Sequence, residues 1–196
     1  MENNDLLKKL RESTAALHKQ IEKQNPAQAL LNHSIDLESY KLLLLQNYQA
    51  YRHIEDQIAP FLPYLKADKA VRLKSDIEEL EMVSPNTYTY SDSSLELSIN
   101  SLAEAFGAAY VMEGSALGGM IIAKHLPHCE QLRGLKKQHF FNGDKSCLTT
   151  WNLFKQELAR QNFDHKEVQA LLEKAEETFL FFENSYRENP ICMPQQ

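Results

Sequence analysis

The chain has 196 residues, 43% hydrophobic and 24% charged, which suits one globular domain with a core of its own. A net charge of −6 argues against non-specific nucleic-acid binding as the main activity. Cys129, Cys147 and Cys192 are scattered without a CxxC, which indicates neither a disulfide framework nor a zinc site and points to reduced thiols in the cytoplasm.

From the N-terminus, MENNDLLKKLRES is polar and carries no signal-peptide core. Leu6, Leu7, Leu10, Thr14, Leu17 and Ile21 recur at three- and four-residue steps and predict a helix over 4–24, stopped at Asn25-Pro26. Pro26 can open a short helix through Leu31. Asp36, with Ser34 just before it, is placed to cap a long helix to about residue 59, ended by Pro60 and Pro63. Its stripe holds Tyr40, Leu43, Leu44, Asn47, Tyr51, Ile54 and Ile58. Helical spacing returns over 67–82 at Ala70, Leu73, Ile77 and Leu80, and SPNTYTYSDSS (84–94) reads as a loop. A helix is expected over 95–124, broken by Pro127, then a shorter one over 130–140 leading to a turn at Asn142-Gly143. Helices over 148–161 and 165–187 complete the pattern, and 1–4 and 190–196 are expected to fray. No stretch alternates convincingly like a strand, and no run approaches the roughly 20 apolar residues of a membrane span. The fold class is all-α, a single multi-helical domain over 1–196.

Four of the six glycines, Gly107, Gly114, Gly118 and Gly119, fall within FGAAYVMEGSALGGMIIA (106–123). Glycine inside a helix costs roughly 1 kcal/mol relative to alanine. Gly107, Gly114 and Gly118 share one helical face, and Gly118-Gly119 lets the helix bend. Either a flat ligand lies against this bare backbone, or a second helix crosses it closely.

Seven histidines are present, none at HxxxH or HExxH spacing, and Pro127 separates His125 from His128, which argues against a shared metal face. Most read as surface or satisfied core residues. His18 has a helix-mate carboxylate in Glu22, the arrangement that orients an imidazole toward a metal. One histidine facing a helix opened by glycines suits a planar metal cofactor, and a haem fits: one protein ligand, the other side free for a small gas. No P-loop, GxGxxG after a strand or GxSxG elbow is present. The carboxylate groups Glu78-Glu79-Glu81 and Glu176-Glu177 read as solvated faces.

Three segments carry a family resemblance. LRESTAALHKQIE (10–22) resembles the first helix of bacterial biliverdin-producing haem oxygenases, with the proximal histidine on His18 and its carboxylate on Glu22. YVMEGSALGGMII (110–122) resembles their distal helix, and FFNGDKSCLTTWNLFKQEL (140–158) their later F…G…W..F…L segment. The resemblance implies haem between the proximal helix and a glycine-kinked distal helix, serving as substrate and cofactor. It implies O2 opposite His18 and electrons from a reductase, ferredoxin or flavodoxin. The implied products are biliverdin, CO and ferrous iron.

By the same resemblance Gly114, Ser115, Gly118 and Gly119 are the catalytic positions on the distal helix. Many members carry an aspartate in GDLSGG where this chain has Ser115, although a subset has the EGSxLG form. Ser115, backbone carbonyls and water are then left to handle protons, and Glu113 is expected to point around the helix, roughly 100° off. Lys155 and Arg11 match basic positions for the propionates, Tyr110 is a further hydroxyl candidate, and Phe179 resembles a distal-pocket aromatic. For the charged pair the alternative is an ordinary surface ion pair, worth about 0–1 kcal/mol, and for Phe179 a packing role. His53 stands near the expected pocket without an assigned role.

A haem-degrading monooxygenase is the leading reading, acting as a monomer with haem and a redox protein as partners, without nucleic acid or membrane. A non-catalytic haem carrier or sensor of the same fold is the alternative. A third reading, thiamin-related hydrolysis or cofactor-ring oxidation on this helical fold, wants an active-site cysteine or acidic cluster where the glycines stand.

Overall fold

The computed structural model describes residues 4–24, 26–81, 87–89, 96–135, 138–187 and 191–193. Helix α1 (Asn4–Gln24) follows the leucine periodicity and is succeeded by the one-turn α2 (Gln28–Leu31). Helix α3 (Leu37–Ile58) begins where the Asp36 carboxylate accepts the Ser39 N–H at 2.7 Å. That bond holds the Asp36 carboxyl below the usual range. The α3 stripe from Tyr40 to Ile58 is buried, and α4 (Lys69–Glu81) packs against it.

Helix α5 (Leu102–His125) starts later than the expected 95 because a reciprocal cap fixes its first turn. Ser101 Oγ accepts the Glu104 N–H at 3.2 Å, and the Glu104 carboxylate accepts the Asn100 N–H at 2.8 Å. Residues 96–100 before it are non-helical, with Leu97 and Ile99 buried. By length and composition Leu102–His128 could cross a membrane, against the expectation that no segment approaches such a span. In the fold it is the central helix, packed against α7 (His165–Arg187), α6 (Ser146–Ala159) and α3. Its first half, from Ala103 to Glu113, is almost wholly inside.

The helix expected over 130–140 does not form among the described residues. Two 3-10 turns, Leu126–His128 and Glu130–Leu132, stand at its start. Further on, the buried Asp76 carboxylate of α4 accepts the backbone N–H groups of His139 (2.6 Å) and Phe140 (2.9 Å). Those amides are therefore tied to another element instead of to their own helix. The expected turn follows, with Gly143 at φ +69°, a conformation glycine adopts without steric cost.

One antiparallel pair joins β1 (Thr87–Thr89) to β2 (Ile191–Met193), with Tyr88 opposite Cys192. The sequence suggests a loop and a frayed end there, because three residues are too few to show alternation and the partner lies a hundred positions away. Asn4, also expected to fray, opens α1.

Candidate functional site

The second half of α5 leaves the core and borders a cleft of about 1430 Å³, counting its open mouth. α1 contributes His18, Ile21 and Glu22, and α3 contributes Leu43, Asn47 and Tyr51. Phe179, Phe182 and Tyr186 come from α7, and Phe140, Phe141 and Asn142 from the segment that Asp76 tethers. His18 is exposed to this space, with Nδ1 3.5 Å from Glu22 Oε1. The Phe179 ring meets it edge-on, centroids 5.7 Å apart. An imidazole held by one nitrogen presents the other.

The glycine face divides between its two possible uses. A Cβ added at Gly107 would stand 2.3 Å from the Leu171 carbonyl oxygen of α7, so Gly107 serves the close helix crossing and not the cleft. Gly114 and Gly119 line the cleft, with Trp151 3.9 Å and Phe141 3.7 Å from where their Cβ atoms would be. Nothing lies within 4 Å of that point at Gly118, whose backbone is bare to the cleft.

Ser115 faces the same space. Its hydroxyl donates to the Met112 carbonyl at 2.7 Å, so the Tyr51 phenol, 2.5 Å away, is the donor to Ser115 Oγ. Burial, with Tyr186 adding to it, pushes the Tyr51 phenol far above its usual range and keeps its proton on. Beside it, Tyr186 donates to Asn47 Oδ1 at 3.2 Å, and Asn47 Nδ2 donates to the Leu43 carbonyl at 2.7 Å. The cleft thus meets an ordered run of hydroxyls and an amide.

Glu113 is fully buried and turned toward α4, away from the α3 contact that Ser115 makes, in keeping with the expected offset around the helix. The cause is Lys69, whose Nζ donates to Glu113 Oε1 at 2.6 Å, while Glu113 Oε2 has no partner among the described residues. Burial pushes the Glu113 carboxyl up and Lys69 opposes it. The first turn of α4 is held in turn by the Glu55 carboxylate, which accepts from Lys69 N (2.8 Å) and Ala70 N (3.1 Å). Asp68 bridges Lys66 (2.7 Å) and Arg72 (2.6 Å) on the same wall.

Of the residues singled out in the sequence, His18, Glu22, Gly114, Ser115, Gly118, Gly119 and Phe179 meet in this cleft. Arg11, Tyr110 and Lys155 are not among its lining residues. Arg11 is exposed on α1, Tyr110 packs on Trp151 and Phe154, and Lys155 Nζ lies 5.9 Å from the centre of the Trp151 ring. The cations bordering the cleft are instead Lys66, Lys69 and Arg72, which surface-type helical spacing does not distinguish from solvated charge. His53 Nε2 donates to the Leu97 carbonyl, 2.7 Å away, and His53 is not a cleft residue. Among the described residues no group of three or more His, Cys, Asp or Glu side chains is arranged to hold a metal ion. Tyr51 and Asn47 stand out in the sequence only as members of the α3 stripe, where their polar ends give the one hint of a wet pocket.

The family model described as Heme oxygenase matches residues 4–188. Among solved structures, the chain is similar to the heme oxygenase of Neisseria meningitidis, solved with NO and CO bound. The identity is 20%, the TM-score 0.69, and the match covers 93% of this chain and 90% of that one. It is also similar to the heme oxygenase of Leptospira interrogans (17%, TM-score 0.67, 95% and 98% covered). A third likeness is to heme oxygenase-1 of the cyanobacterium Synechocystis sp. PCC6803 in complex with heme (16%, TM-score 0.65, 93% and 90%). At these identities the structural likeness speaks for the fold. No curated protein sequence matches the chain significantly.

Proposed function

The chain belongs to the haem oxygenase family, and from that premise we propose that it opens the haem macrocycle oxidatively, releasing biliverdin, CO and ferrous iron. The observation that carries the site assignment is that His18 and the bare backbone at Gly118 border one cleft. The residues present fit a flat ring: a Cβ at Gly118 would occupy the space where its face would lie, and His18 offers one imidazole. When bound, haem supplies both the carbon skeleton to be cleaved and the iron at which O2 is reduced, with electrons from a reductase, ferredoxin or flavodoxin.

The chain's own residues do the rest. His18 binds as a neutral imidazole, oriented by Glu22 through its Nδ1 side. A neutral ligand donates less electron density than a thiolate. Phe140, Phe141, Phe179 and Phe182 exclude water from the ring faces. Tyr51 holds its proton toward Ser115, whose oxygen keeps one lone pair with which it can order a water. By the family resemblance Ser115 stands where many members have an aspartate. Lys66 and Arg72 offer positive charge to the propionates, with Asp68 as the counter-ion they already share.

Haem titration of the wild type and His18→Ala, followed by ascorbate or a reductase in air, tests this reading. One equivalent bound with a Soret shift, altered in His18→Ala, and then bleaching to a bilin spectrum is the expected result. Tight binding with a stable ferrous–gas spectrum would return the carrier or sensor reading, with Ser115 as its cause. Failure to bind haem would overturn both.

A further inference from the structure

A second cluster of chemistry lies outside the cleft, where the exit of α2 meets the end of α5. Helix α2 closes in a Schellman arrangement: Ser34 N–H donates to the Ala29 carbonyl (2.9 Å) and His33 N–H to the Leu30 carbonyl (3.1 Å). The residue at its left-handed position is His33, at φ +57°, and among the described residues no other non-glycine residue has a positive φ. Glycine is the usual occupant, because any Cβ is strained there. A strained backbone that carries a chemically capable side chain is a reason to ask what that side chain reaches.

It reaches two more imidazoles. His33 Nε2 lies 2.9 Å from Nδ1 of His125, the last residue of α5, and the two ring centroids are 5.2 Å apart. The ring of His128, in the following 3-10 turn, lies 5.4 Å from that of His33. The His33–His125 contact is exposed, so an ion can enter from solvent. His125 and His128 share no face in sequence, and it is the turn at His33 that brings a partner to both.

We propose that His33 and His125 form a site for a divalent transition-metal ion of the zinc type, two imidazoles from the chain with water completing its coordination. Imidazole nitrogen is a good ligand for such ions. Two nitrogens about 2.9 Å apart need to separate only slightly to sit at the ~2.0–2.1 Å bonds of one zinc. The proton now shared between His33 Nε2 and His125 Nδ1 moves to the other nitrogen of the ring that holds it, so both facing nitrogens become ligands and no group is left charged. The negative end of the α5 dipole at His125 adds favourable charge for a cation. Bound there, the ion staples the connection between α2 and α3 to the far end of the helix that borders the cleft.

Zinc ion alone, added to the haem-free full chain, is the probe. Calorimetry is expected to show one equivalent bound, and thermal melts a zinc-dependent rise in Tm. His33→Gly is the decisive variant, since it removes the ligand and relieves the backbone, so it folds at least as well without metal. It is expected to lose the Tm rise and to weaken binding at least about tenfold, as is His125→Gln. His18→Ala, which removes an exposed histidine away from this pair, is expected to keep both. Unchanged zinc binding in His33→Gly, loss of it in His18→Ala, or no binding by the wild type would overturn the assignment.

Discussion

Gly107→Ala and Gly118→Ala make the same change on the same helix and are expected to act in opposite senses. At Gly107 the new Cβ meets the Leu171 carbonyl at 2.3 Å, and backbone on a packed helix cannot step aside. Stability should fall by about 1–3 kcal/mol, the scale of an overpacked core, and haem affinity should follow only indirectly. At Gly118 the Cβ meets nothing within 4 Å, so the haem-free chain gains up to roughly 1 kcal/mol of helix propensity while the cleft loses room for the ring. Thermal melts without haem, beside haem titrations, separate the two effects. The sequence shows the glycine face but not what rests on each part of it: periodicity gives a direction from the helix axis, and only the packed partner tells Leu171 from empty space. Tyr51 was hidden for the converse reason, since an aromatic on a buried stripe looks like core until its hydroxyl is seen to reach Ser115.

At the level of elements, α4 and α5 are joined by charge. Lys69→Met leaves the Glu113 carboxylate buried without its counter-charge, and a broken buried pair of this kind costs about 3–5 kcal/mol. The double change Lys69→Met with Glu113→Leu should recover most of that loss, which urea unfolding of the two variants beside the wild type would show. Asp76→Ala should free the His139 and Phe140 amides, raising their hydrogen exchange and loosening the phenylalanine wall of the cleft. The expected helix over 130–140 failed for the same reason: its local pattern is helical, but a carboxylate more than sixty residues earlier takes its amides. Elements whose hydrogen bonds are local, such as α3 behind Asp36, follow the sequence closely. The start of α5 was written in Ser101 and Glu104, a signal that the apolar Leu97 and Ile99 just before it obscured.

For the molecule as a whole, the buried carboxyls set the pH response. Burial pushes Glu55, Asp76 and Glu113 upward, against the amides and the lysine that pull them back. The native chain therefore binds protons more tightly than the unfolded one between about pH 4 and those raised values, and stability falls as pH rises through that window. Below about pH 4 the trend reverses, because Asp36 and Asp68 are held down. For Asp68 the pull of Lys66 and Arg72 outweighs its burial. The Tm of the haem-free chain is expected to peak in mild acid and decline toward neutrality, and in the Lys69→Met/Glu113→Leu variant that decline should be shallower. A Tm that climbs steadily from pH 5 to 8 would contradict this ordering of the carboxyls.

Helix α5 is core along one half and wall along the other, so whatever fills the cleft completes the packing of the molecule's central element. Binding and folding then draw on one free energy: at a hundredfold excess over its Kd, a ligand adds about 2.7 kcal/mol to the native state. Degradation in the cell acts on the transiently opened chain, whose population falls by the same factor. The lifetime of the protein is thereby tied to the supply of the molecule it consumes, and each completed turnover returns it to its shorter-lived form.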